Sequence, residues 1–67
     1  MNKTHFRNLK SNRTLESNIG GYSEWDTVEA FDPTTETVLM VRSCGTDYNP
    51  IPFTFADVRE FGMKLVA

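Results

Sequence analysis

Cys44 is the only cysteine of this 67-residue chain and His5 its only histidine, so they form its one Cys–His combination. A catalytic thiol needs a base or positive charge beside it and partial exposure. These two residues share no motif, and a lone cysteine at a strand end reads as structural. One cysteine with one histidine also falls short of a common structural zinc set. Nine carboxylates offer chance pairs but no D-x-[DN]-x-[DN]-G run, which excludes an EF-hand calcium loop. Gly20-Gly21 lacks the continuation of a dinucleotide fingerprint and the Gly-Lys-Ser/Thr of a P-loop. The chain is therefore expected to be non-catalytic, with no metal and no cofactor.

Binding is the chemistry that remains. Tryptophan, tyrosine and arginine dominate interface hot spots, and Trp25, Tyr22, Tyr48 and Arg42 are the candidate partner-binding residues. A small domain also needs aromatics for its core. Phe53, Phe55 and Phe61 are assigned there.

The elements that must position these residues are legible in part. Residues 4–10 fit either a short strand or a helical turn. Residues 11–24, rich in Ser, Asn and Gly, read as a loop, and 1–21 as a basic N-terminal arm. Trp25 to Phe31 is strand-like, with Val28 and Ala30 expected on one face and Trp25 and Phe31 on the other. Asp32-Pro33-Thr34-Thr35 supplies a turn, since proline suits the position after an aspartate. Thr37 to Arg42 completes a β-hairpin. Its Val38-Leu39-Met40-Val41 run is apolar on both faces, which implies that both are covered. The second cover is either the N-terminal segment or another polypeptide.

Ser43 to Asn49 form a polar loop. Pro50-Ile51-Pro52-Phe53 reads as an edge strand, because proline lacks the donor that central pairing requires. A helix of about a dozen residues follows, capped by Thr54 with Asp57 completing a capping box. Phe55, Val58, Phe61 and Leu65 form its apolar stripe, and Met63 falls off it. The fold class expected is α+β: a small antiparallel sheet, hairpin plus short third strand, packed against one C-terminal helix, in a single domain 1–67.

Residues 1–15 hold Lys3, Arg7, Lys10 and Arg13 and no acid, whereas the rest holds every acid and gives a net charge of −2 overall. A basic arm on an acidic body raises nucleic-acid binding, but no basic helix face or stacking platform supports it. No apolar run suits a membrane span or a secretory leader, so a soluble, cytoplasmic protein is expected. With no intramolecular disulfide available, a chain this short relies on close packing or self-association, and a homodimer is one expected form.

The segment from Val28 onward resembles small actinobacterial regulatory proteins of the BldB type, a domain-of-unknown-function family. The matching features are Val28-Glu29, Val41-Arg42, Asp47 to Pro50, and Phe53-Thr54-Phe55-Ala56-Asp57 with Phe61. The resemblance implies a non-catalytic protein that self-associates or pairs with a helix-turn-helix transcription regulator. The leading expectation is an interaction module regulating such a DNA-binding partner. Alternatives are a phage or mobile-element inhibitor of a host machine, and nucleic-acid binding through the N-terminal arm.

Overall fold

A computed structural model describes residues 1–19, 21–42 and 49–66. Cys44, Tyr48 and most of the expected polar loop lie outside the described residues.

Residues Lys3–Arg7 form helix α1, which settles the choice left open for 4–10. Asn2 caps it, its side-chain oxygen accepting from the His5 N–H at 2.8 Å. So short a helix does not persist alone. Phe6 holds it down, 1% exposed, edge-on to Phe31 at 5.9 Å and tilted against Phe55 at 5.6 Å.

The stretch expected as a loop, 11–24, instead contains strand β1 (Thr14–Ile19) and the start of β2 (Tyr22–Asp32). They pair antiparallel with Ile19 opposite Tyr22, and Gly21 sits at φ 85°. The strand was hidden because one of its buried positions, Ser17, is polar, while the intervening Thr14, Glu16 and Asn18 are polar as well. The signal present was Gly20-Gly21 itself, a sequence suited to a two-residue hairpin turn.

Strand β3 (Thr37–Arg42) pairs with β2 through the expected turn, where Asp32 Oδ1 accepts from the Thr34 N–H at 2.9 Å. One detail of β2 differs. The register shifts between Val28 and Ala30, so Glu29 is a bulge residue. Val28 and Phe31 consequently share the core face, while Trp25 and Ala30 share the other. Strand β4 (Ile51–Phe53) lies at the sheet edge beside β3, as its prolines require.

Helix α2 (Phe55–Glu60) begins with the expected capping box: the Asp57 N–H donates to Thr54 Oγ1 at 3.1 Å, and the Thr54 N–H to Asp57 Oδ2 at 2.9 Å. It stops after six residues, not about a dozen. Gly62 takes φ 60°, the Met63 N–H donates to the Val58 carbonyl at 3.0 Å, and the Gly62 N–H to that of Arg59 at 3.2 Å. This is a Schellman ending, in which the residue after the glycine packs back on the last turn. Met63, off the helical stripe, is therefore buried with Val58. Leu65, assigned to the helix stripe, lies in strand β5 (Lys64–Val66), which pairs with β1.

An alanine at Gly62 would meet nothing within 4 Å, so its cost is confined to the left-handed backbone. Gly62→Ala is expected to lose about 1–2 kcal/mol, read as a lower urea midpoint at unchanged slope.

The five strands run β4-β3-β2-β1-β5, all paired antiparallel. The chain leaves the sheet at one edge, crosses it through α2 and re-enters at the other. Phe6 of α1 and Val58 of α2 join one cluster with Leu15, Val28, Val38, Met40, Phe53 and Met63. Both helices thus cover the same face. The domain is α+β, with five strands and two short helices in place of three strands and one.

Candidate interaction surface

Adjacent residues of a strand point to opposite faces, and residues paired across strands share a face. The register therefore sorts the sheet. Its inner face carries Leu15, Val28, Val38 and Met40 beneath the helices. Its outer face carries five rows: Asn18–Ser23, Lys64–Glu16–Trp25, Val66–Thr14–Thr27–Val41, Ala30–Leu39–Pro52 and Asp32–Thr37. No helix or strand among the described residues lies over these rows. The N-terminal helix, one of the two covers expected for the second face of β3, packs on the first.

The outer rows are mostly uncharged. Thr14, Thr27, Leu39, Val41 and Val66 are half-buried by their neighbours, while Ala30 and Pro52 are exposed. Their charges are Glu16 and Lys64, which sit side by side with opposite signs, and Asp32 at the end of β2. Trp25 is 44% exposed, and its indole N–H donates to Glu16 Oε2 at 3.2 Å. Ser23 Oγ donates to the other oxygen of Glu16 at 3.3 Å. The indole's polar edge is thus satisfied, and 44% of the residue stays exposed.

The four residues singled out from sequence do not form one patch. Trp25 is on the outer face. Arg42 belongs to the inner side, paired across the sheet with Asp26, and its Nη1 contacts Glu24 Oε2 at 2.7 Å. Tyr22 is 77% exposed at the β1–β2 turn, and Tyr48 lies outside the described residues. The physical cause is the two-residue period: Trp25 and Asp26 are consecutive and face opposite ways. Leu39 and Val41 of the outer face were visible in sequence as part of the apolar run. Thr14, Thr27 and Val66 carried no signal of their own, since only the strand register brings them into one row.

Asp26 is the unusual group of the inner side. It is fully buried, and neither carboxylate oxygen has a hydrogen-bond donor; Arg42 Nε stands 3.4 Å away. Ser17, also buried, leaves its hydroxyl unpartnered. Burial pushes the Asp26 carboxyl above its usual pKa, Arg42 pulls it back, and Glu24 pushes it up again. A carboxyl raised by folding costs stability as pH climbs from its unfolded value through its folded one, and the full cost stands above that. Asp26→Asn is therefore expected to melt higher than the native chain at pH 7. Its advantage should shrink toward pH 3, where the native carboxyl is protonated too. Thermal melts of both proteins across this range check the sign. Closed to solvent, Asp26 and Ser17 offer no access for a substrate.

Among the described residues no group of three His, Cys, Asp or Glu could hold a metal, and no helix is long and apolar enough to cross a membrane. Comparison with protein-family models, curated proteins and solved structures finds no match.

Proposed function

We propose that this chain is a non-catalytic protein-interaction module that docks through the outer face of its sheet. One observation carries the reading. Leu39 and Val41 alternate along β3 with the buried Val38 and Met40, yet both helices pack on the side of Val38 and Met40. A strand facing water would carry polar residues there.

The occupant that fits is a second copy. Glu16 and Lys64 cancel and Asp32 stands at the end of the face, so the central rows meet their own image without net repulsion. Five strands at ~4.8 Å spacing and about six residues at ~3.4 Å give a face of roughly 20 by 20 Å. With side-chain relief this approaches the lower range of stable interfaces, ~600 Å² per partner. Two such sheets would stack about 10 Å apart as a sandwich. The gain matters for so small a core.

The BldB-type resemblance adds the downstream role: the module would regulate a helix-turn-helix transcription regulator. The test of the docking surface is molar mass by light scattering across a concentration series. The expected course runs from the 7.7 kDa monomer mass to twice that value, with a dissociation constant on the order of 10 μM for a small interface. A monomer at every concentration up to the millimolar range would overturn it.

A further inference from the structure

The sheet has two edges of different character. At one, β4 carries Pro52, with Pro50 just before it, and proline supplies no N–H to an added strand. At the other, β5 reads Lys64-Leu65-Val66, free of proline. An edge strand turns part of its backbone hydrogen-bonding groups outward, ready to receive another chain. β5 also pairs with only Thr14, Leu15 and Glu16, so β1 runs on beyond it.

Beside this open edge lies a cleft of about 430 Å³ between α1, the segment leading into β1, and β5. Leu9 and Leu65 give it apolar walls, and Leu65 is 43% exposed although its cross-strand partner Leu15 is fully buried. Lys10, Arg13 and Lys64 line it as well, and no carboxylate does. Among the described residues none of the three cations makes an ion pair. The carboxylate nearest in the strand register, Glu16, stands opposite Lys64 on the outer face.

The geometry points to a second docking site here, distinct from the outer face: the β5 edge and its cleft receive an extended acidic peptide segment of a partner protein. The segment would add as a sixth strand. Side chains of alternate residues would meet the cleft, an aliphatic one against Leu9 and Leu65, carboxylates against Lys10 and Arg13. Charge decides the occupant. A second copy joined through this edge would set the same cations against each other. Single-stranded nucleic acid would want stacking platforms, and the cleft lining contains no aromatic ring other than His5.

The probe is a blocked heptapeptide with glutamate at positions 1, 3 and 7, valine at position 5 and threonine at the even positions, so that one face of the added strand carries both the carboxylates and the aliphatic side chain; it is titrated into the full chain while backbone amide NMR signals are followed. Shifts are expected at Lys64, Leu65 and Val66 and around Leu9 to Arg13. Binding should weaken about tenfold in the doubly substituted Lys10→Gln/Arg13→Gln chain. It should vanish for a peptide N-methylated on alternate residues, which keeps the charge and removes strand donors. The outer-face variant Leu39→Lys should bind it as the native chain does, which separates this site from the dimer surface. Equal binding of the N-methylated peptide, equal binding of an analogue with lysine in place of each glutamate, tighter binding of a thymidine oligonucleotide, or no shift in β5 would each overturn the assignment.

Discussion

Replacing Phe6 with alanine is expected to destabilise the domain by about 3–5 kcal/mol, the range for emptying a buried aromatic site. Phe6 is the only buried residue of α1, and it touches rings from both the sheet (Phe31) and the second helix (Phe55). Removing it leaves a void at a three-way junction and frees a helix too short to persist by itself. A chain of this length holds only about 3–10 kcal/mol in total. Phe6→Ala should therefore be largely unfolded or melt well over 10 °C lower. Arg7→Ala is the control on the same helix. Its guanidinium meets Glu36 at 2.6 Å, but both side chains are about half exposed, and such pairs contribute ~0–1 kcal/mol. Circular-dichroism melts of the two variants check the contrast. A native-like melt for Phe6→Ala would mean that α1 is not part of the core.

Leu39→Lys is expected to raise the dimer dissociation constant about a hundredfold, or about 2.8 kcal/mol, while the fold persists. Leu39 sits half-exposed in the outer rows between Ala30 and Pro52, both exposed. In a monomer the lysine stem can lie over these neighbours with its ammonium in water. In a face-to-face pair two ammonium groups would be buried without partners. Light scattering should find the variant monomeric where the native chain is dimeric, with an unchanged far-ultraviolet spectrum. A variant as dimeric as the native chain would place the interface elsewhere.

What the sequence made legible follows from how locally each feature is encoded. The β2–β3 turn and the Thr54 cap each rest on contacts within three residues, Thr34 to Asp32 and Thr54 to Asp57, and their residue types announce them. The prolines around Ile51 mark an edge just as locally. β1 has no such signature, because Ser17 takes a buried position where the alternation rule wants an apolar residue. Phe55, Val58, Phe61 and Leu65 fit a helical stripe that runs past the end of α2, although Gly62 followed by an apolar residue is a stop signal. The bulge at Glu29 has no local signature, and it alone moved Phe31 into the core. Of the candidate site, the apolar run of β3 raises the question of a second cover. Which residues share the uncovered face depended on a register set by long-range pairing.

The central claim is that the outer sheet face meets a partner, and that the partner is a second copy. Its most direct test is isotope-filtered NMR on a mixture of labelled and unlabelled chains at a concentration where the dimer predominates. Intermolecular contacts are predicted between the methyl groups of Leu39, Val41 and Val66 and the ring of Trp25. Intermolecular contacts confined to α1, α2 or Leu65, with none from Leu39 or Val41, would contradict it.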